Sequence, residues 1–448
     1  EDRLGTSVSL NSAGDRLAVG APFDDGAGNA ANASGAAYLF SFTDTDFNGG
    51  TLESTIGKGY TGGKNLDVAN LEAGDWFGYS VSLNEVGDRL AVGARNDDGA
   101  GNIGNSAGAV YALSFTDDSF NGGNLEAVFG EGYTGGKNVD ISLLNDINDL
   151  DGFGSSVSLN GDGDRLAIGA PSDEGAGAGN FALNPGAAYL FSFSNNNFNN
   201  ATLEALIGRG YNGGKNIDLA LDDGDSFGSS LSMNYVSDRL AVNAGGDDGA
   251  GNIADRTGAV YLFSFSDSNF NGGTLESTIG KGYSGGKNVD VANLDDKDGF
   301  GHSVSLNGAG DRLAVGASAD DGAGNVADRT GAAYVFRFSD NDFNGGVLDI
   351  TIGKAYTAER EVNLASLENM DQFGYSISLN GSGDRLATGA FQDDGANNSN
   401  IRSGAVYLFS FSSSSLSPSM ADFSENAGGN SEVLTADIEA LLDAGTDV

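Results

Sequence analysis

The chain has 448 residues, with 63 acidic against 22 basic side chains (net charge -41), 72 glycines, four prolines and no cysteine. A negative charge of that size repels nucleic acid and anionic membrane surfaces, no apolar run reaches the roughly 18 residues of a membrane span, and neither disulfides nor thiolate metal sites contribute. Hydrophobic residues at 39% still suffice for a core, and glycine-rich, proline-poor composition points to many tight turns between strands. The acid load fits a protein facing a salty medium; a second reading assigns part of it to Ca²⁺. Because the chain opens at Glu1 inside a repeat and without Met, it is expected to be a processed piece or a segment of something longer.

One pattern recurs along the length. Its first apolar segment ends at Leu10, Leu83, Leu159, Met233, Leu306 and Leu379, spaced 73, 76, 74, 73 and 73 residues apart, which marks a repeat architecture. In repeat two, Phe77, Tyr79, Val81 and Leu83 alternate with Gly78, Ser80 and Ser82, so residues 77–83 read as a strand with one bulky and one small face. A short glycine-bearing hairpin leads to a second strand at 89–94, a third follows at 108–115, and a fourth, with Glu126 in its middle, at 125–129. The fold expected is all-β: a six-bladed β-propeller of four-stranded antiparallel blades, bulky faces nesting on glycine-serine faces around an axis. Blades are placed at about 1–73, 74–149, 150–223, 224–296, 297–369 and 370–411. Repeat six loses its fourth strand after Phe411, so closure is expected from residues 412–430 or from chain outside this sequence. The tail, 412–448, reads as a linker with one short helix at 436–444, since Ile438, Leu441 and Leu442 have helical spacing and Gly445 is a stop.

Phe-Gly at the head of the first strand, with Gly20-Ala21-Pro22 and Gly169-Ala170-Pro171 at the end of the second, resembles the FG-GAP repeat of integrin α-subunit propellers and their bacterial relatives. The likeness spans residues 1 to 411 and implies an extracellular propeller. It departs in two respects: Arg95, Gly245, Ser318 and Phe391 replace the proline, and integrin-type propellers have seven blades where six repeats are counted here. The tail is similar to segments of large secreted bacterial exoproteins of the filamentous haemagglutinin type.

Every repeat carries an acidic loop between strands two and three. The candidate metal ligands are Asp24, Asp25 and Asn29; Asp97, Asp98 and Asn102; Asp173 and Glu174; Asp247, Asp248 and Asn252; Asp320, Asp321 and Asn325; Asp393 and Asp394. Carboxylate, amide and glycine-freed carbonyl oxygens are what a hard cation such as Ca²⁺ wants; turn chemistry alone explains the same residues. The family's own calcium loop lies between strands one and two, where this chain has only a short hairpin such as Asn160-Gly161-Asp162-Gly163-Asp164, so no ligand is carried over from the resemblance. A second acidic set, Asp2, Asp75, Asp151, Asp225, Asp298 and Asp371, precedes strand one, and Arg16, Arg89, Arg165, Arg239, Arg312 and Arg385 open strand two. The expectation is that these acids close turns and the arginines pair with them. The Gly-Tyr-Thr-Gly-Gly-Lys-Asn loop at 59–65 lacks phosphate-loop spacing, so its Tyr should pack the loop and its Lys offset acids.

Catalytic residue types are scarce. His302 is the only histidine, at a position held elsewhere by Tyr79, Ser155, Ser229 and Tyr375, and Trp76 is the only tryptophan. The expected function is an extracellular, non-enzymatic propeller module of a large secreted or surface bacterial protein, serving adhesion or spacing. Its partner would be a cell-surface glycan or protein, or further copies of itself. The rival is a propeller enzyme acting on polysaccharide through carboxylates at the channel mouth. An enzyme breaks symmetry at one place, and no repeat stands out chemically in this reading.

Overall fold

The computed structural model describes residues 2–45, 47–103, 106–144, 151–176, 184–358, 360–394, 404–411 and 434–436. Six sheets stand around one axis. In blade two the strands are Phe77–Leu83, Arg89–Ala94, Ala109–Ser114 and Asn124–Gly130, each antiparallel to the one before. A fifth, Val139–Asp140, lies parallel to the fourth. This corrects the four-stranded expectation: after strand four the chain folds back along the blade, and two residues pair before it leaves. Asn138 accepts from the Val128 amide to hold that return, at 2.9 Å. Blades one, three, four and five have the same extra strand, at Leu66–Asp67, Ile217–Asp218, Val289–Asp290 and Glu361–Asn363.

Blade six consists of Ser376–Leu379, Arg385–Ala390, Ala405–Ser410 and, returning from the tail, Leu434–Ala436. The last strand pairs Leu434 with Leu408 and Ala436 with Val406. It falls outside the 412–430 stretch expected to close the blade. It also replaces the start of the expected helix with a strand, because the open edge of Ala405–Ser410 offers unpaired backbone groups that three extended residues can satisfy. The rest of that helix, 437–444, lies outside the described residues.

The ring is closed by the small face of strand one. Ser80 Oγ donates to Gly154 O of the next blade at 2.9 Å, and Ser82 Oγ accepts from the Leu159 amide at 2.9 Å. The same two bonds run from blade six to blade one, Ser376 Oγ to Gly5 O at 2.8 Å and Leu10 N to Ser378 Oγ at 2.9 Å. Apolar clusters fill each junction; one joins Leu39 and Ile56 of blade one to Phe77, Val92 and Tyr111 of blade two. Another joins Ala387, Val406 and Leu408 to Leu17, Val19 and Phe40, across the seam where the chain ends meet. Serines that bridge neighbours and bulky residues that fill the gap are what the alternation in strand one predicts.

Gly78 shows why the Phe-Gly pair is needed. Its φ is +88°, and a Cβ there would lie 2.2 Å from the carbonyl oxygen of Ala36 in the preceding blade. Only glycine permits the approach that seats Phe77, fully buried, edge-on against Tyr111 at 5.4 Å.

The strand-two arginines do not pair with the acids that precede strand one. Strand one separates the two sets, and seven residues at roughly 3.3 Å each keep them at opposite faces of the disc. Arg89 instead binds Asp88 at 3.1 Å and reaches into blade three, donating from Nε to Asn196 O at 2.6 Å and from Nη2 to Asn197 Oδ1 at 3.0 Å. Lys137 joins the same seam, donating to Asn197 O at 2.7 Å and pairing with Glu126. Arg89→Ala is expected to lower stability by about 2 kcal/mol through lost charge-assisted bonds; an unchanged urea midpoint would refute the staple.

Candidate functional site

The axis of the disc is lined by the bulky face of strand one. Below the mouth come Val8, Val81, Val157, Leu231, Val304 and Ile377, then Leu10, Leu83, Leu159, Met233, Leu306 and Leu379, all buried. Beyond them the hairpin turns join in a closed circle of backbone hydrogen bonds. Ser12 N donates to Glu85 O, Glu85 N to Gly161 O, Gly161 N to Tyr235 O, Tyr235 N to Gly308 O, Gly308 N to Gly381 O and Gly381 N to Ser12 O, all between 3.0 and 3.2 Å. Tyr235 of blade four reaches across this circle to Ser12 in the opposite blade. Its ring lies over Gly308 and Gly381, where a side chain would collide with it at 2.4 to 2.8 Å. The channel is therefore sealed at this face.

The opposite mouth is open, a cavity of about 140 Å³. Its uppermost ring is Thr6, Tyr79, Ser155, Ser229, His302 and Tyr375. This ring is not symmetric. Blades five, six, one and two crowd it: His302 packs on Tyr375 at 4.3 Å, Tyr375 on Phe391 at 4.1 Å, Arg3 over Phe23 at 4.0 Å, Phe23 against Trp76 at 5.0 Å. Arg95 lies over Tyr79 and donates to its hydroxyl at 3.0 Å. Blades three and four offer Ser155, Ser229 and Gly245. Burial holds the His302 imidazole down to about 4, so it is neutral at neutral pH.

Blade four breaks the pattern one layer further in. Asn243 stands where the other blades have the glycine of Gly-Ala-Pro, accepts from Ser229 Oγ at 2.9 Å and from the Ser230 amide at 2.7 Å, and leaves its Nδ2 buried with no hydrogen-bond partner.

The same face carries the acidic loops, and there the first acid of each has a defined job. Asp97 is buried and accepts from Gly99 N at 2.8 Å, Tyr111 Oη at 2.6 Å and Tyr133 Oη at 3.3 Å. Asp24 meets Tyr38 and Tyr60, Asp173 meets Tyr189 and Tyr211, Asp247 meets Tyr261 and Tyr283, and Asp320 meets Tyr334 and Tyr356; Asp393 accepts from Tyr407. The second acid closes the loop: Asp25, Asp98, Asp248 and Asp321 accept from the amides of Ala33, Ser106, Arg256 and Arg329 at 2.6 to 2.8 Å. Glu174 is buried beside Asp173. Asn29, Asn102, Asn252 and Asn325 all take φ of 55°, the left-handed turn that asparagine favours.

These oxygens meet N–H and O–H protons, so a Ca²⁺ ion would have to displace the tyrosine and glycine donors. Among the described residues no group of three or more His, Cys, Asp or Glu is gathered closely enough to hold a metal. The loop tyrosine of each pair, Tyr60 or Tyr133, packs the loop as expected; the strand-three tyrosine is the one sequence reasoning left out, though it recurs 14 residues after the acid in every blade but the third, where the offset is 16.

Four of the six acids before strand one close turns, as expected. Asp75, Asp225, Asp298 and Asp371 accept from the amides of Glu72, Asp222, Asp295 and Glu368 at 2.7 to 2.8 Å. Burial, reinforced by neighbouring acids such as Asp97, pushes Asp75, Asp298 and Asp371 up to about 7 and Asp225 to about 6. Each is held above its unfolded value of about 4, so the folded state binds more protons between those limits and gains stability as pH falls. His302, held low, opposes this with one group against four. The melting temperature is expected to rise as pH is lowered from about 8 to about 5; a flat or falling curve would count against the buried placement of these acids.

A family model of the FG-GAP repeat matches residues 1–40, 69–113, 143–191, 293–336 and 367–409. The matched segments fall in blades one, two, three, five and six; the blade with Asn243 lies outside them. No curated protein matches the chain. Among the described residues no helix is long and apolar enough to cross a membrane.

Proposed function

The chain is an FG-GAP repeat β-propeller, and from that premise we propose that it is a non-enzymatic binding module of a secreted or cell-surface protein, a rigid disc that presents its rim loops to a partner. The observation that supports this most is the repetition of one anchor. In blades one to five two tyrosines and a glycine amide hold the first loop acid, so the loop bases share one frame while their tips differ. Equivalent loops on one face suit weak contacts multiplied over several copies. The residues an enzyme would use are otherwise engaged: the lone imidazole is held neutral, and the loop carboxylates serve as hydrogen-bond acceptors inside the rim.

The partner class proposed is a cell-surface glycan or protein. A glycan array and a cell-surface panel, probed with and without Ca²⁺, test it. Retention on a surface without turnover supports the module, whereas depolymerisation of a polysaccharide would replace it with the enzyme reading. Melting with chelator and with millimolar Ca²⁺ tests whether a cation orders the rim. A rise with Ca²⁺ places an ion at the Asp-Asp-Gly loops, and an unmoved melting temperature leaves the tyrosine network to order them alone.

A further inference from the structure

We propose that the open mouth of the channel is a binding site for an acidic monosaccharide unit at the end of a glycan chain, with Arg3 and Arg95 supplying the charge that meets its carboxylate. The site is distinct from the rim loops and does not depend on their partner.

Three observations carry the proposal. First, the cations. In a chain of 63 acids and 22 bases, Arg3 and Arg95 sit at the mouth held by aromatic faces and a phenol, and among the described residues neither has a carboxylate within ion-pair distance. Arg3 is sandwiched between Phe23 at 4.0 Å and Phe391 at 5.5 Å, and Arg95 spans from Tyr79 to the backbone at Gly152 in the next blade. Each guanidinium is thereby oriented while hydrogen-bond donors remain for a ligand; a carboxylate is the group that fits their planar fork.

Second, the walls. One side of the mouth offers aromatic faces, with Trp76 between Phe23 and Tyr79 at 5.0 and 6.3 Å. The other offers the hydroxyl oxygens of Ser155 and Ser229, whose protons are given to Gly152 O and Asn243 Oδ1 and whose lone pairs remain to accept from a ligand. A flat apolar face opposite a row of hydroxyl groups matches a sugar ring, which has C–H faces and an equatorial belt of hydroxyls. All of Arg3, Phe23, Trp76, Tyr79, Arg95, His302 and Tyr375 are half-buried, so the surfaces that would contact a ligand are reachable from solvent.

Third, the depth. Apolar rings floor the cavity, and the backbone circle with Tyr235 seals the axis behind them. A polymer cannot thread this channel, so it must offer a terminus. The polar mouth over an apolar floor places specificity at the first residue of the chain.

The chain carries its own reporter, since Trp76 is its only tryptophan. The intact chain is titrated by calorimetry with glucuronate, with glucose and with a short oligouronate, while Trp76 emission is followed. The expected result is saturable binding of glucuronate and of the oligouronate, one per chain, with a change in emission, and affinity for glucose weaker by about tenfold or more, the worth of one charge-assisted hydrogen bond. Arg95→Gln is expected to weaken glucuronate binding by a similar factor at unchanged melting temperature; should that variant unfold, Arg3→Gln and the salt dependence of the wild-type affinity replace it. The proposal is overturned by absence of both heat and emission change, by equal affinity for glucose, or by glucuronate affinity that neither variant nor salt alters. Binding of free glucuronate with rejection of the oligouronate overturns the chain-end assignment. Surface retention of Arg95→Gln through the rim loops would be unaffected in any of these cases, which keeps the two readings separable.

Discussion

Gly169→Ala is expected to be among the most damaging single-methyl changes in the chain, lowering stability by about 3 kcal/mol, the upper range for overpacking a filled site. An added Cβ would lie 1.8 Å from the carbonyl oxygen of Gly228 in blade four and 2.3 Å from Ser156 Oγ. Both obstacles are fixed: the carbonyl belongs to the neighbouring backbone, and the serine hydroxyl donates to that same carbonyl at 2.7 Å. The methyl can be admitted only by parting two blades. The chain shows the consequence of a side chain here once, at Asn243. In that blade Ser230 no longer donates across the seam but accepts from the Val304 amide at 3.0 Å, and the asparagine Nδ2 is left without a partner. The measurement is the urea midpoint at constant slope; a midpoint within experimental error of wild type would mean that the seam is looser than the contact distances require.

Asp97→Ala is expected to cost a similar amount, about 3 kcal/mol, for a different reason. Removing the carboxylate leaves two tyrosine hydroxyls and the Gly99 amide without their acceptor, and Tyr111 is fully buried. An orphaned buried donor loses its water without compensation, which is why deletion costs more than the bond contributes. Asp98→Ala removes only an acceptor for the Ser106 amide in a half-buried loop and should cost about 1 kcal/mol. The pair is diagnostic. A loop built around a cation would lose comparable stability with either acid and only when Ca²⁺ is present, whereas the tyrosine network predicts a large gap between the two variants with chelator added.

Several features were legible because they depend on short-range regularity. Alternation of Phe77, Tyr79, Val81 and Leu83 with Gly78, Ser80 and Ser82 identifies a strand and its two faces, since side chains on a strand must alternate. Recurrence every 73 to 76 residues identifies the blade count. The turn role of Asp75 and its equivalents was also legible, because the acceptor and its amide are three residues apart.

Other features were hidden for physical reasons. The fifth strand, two or three residues long, has no periodicity to read. Leu434–Ala436 lies beside residues with helical spacing, and its pairing with Ala405–Ser410 is a long-range choice. The partners of Arg89 are hidden because adjacency within a repeat is not adjacency in space: Asn196 and Asn197 lie more than a hundred residues away. The asymmetric mouth was written in two columns of the repeat, Thr6, Tyr79, Ser155, Ser229, His302 and Tyr375 in one and Pro22, Arg95, Pro171, Gly245, Ser318 and Phe391 in the other. Read separately they look like tolerated substitutions. Read together they converge, because the first column lines the axis and the second packs against it within the same blade, Arg95 on Tyr79 and Phe391 on Tyr375.

The amino-acid order by itself thus determined the strand, its two faces, the number of blades and the residues that make the turns, all of which follow from contacts within a hairpin or from period. Only closure of the ring decided which blades share a seam, which arginine meets which loop, and that one end of the axis is sealed while the other gathers two cations and an aromatic wall. Those are contacts between residues up to 371 positions apart, and no local pattern encodes a neighbour that the chain reaches only after going once around.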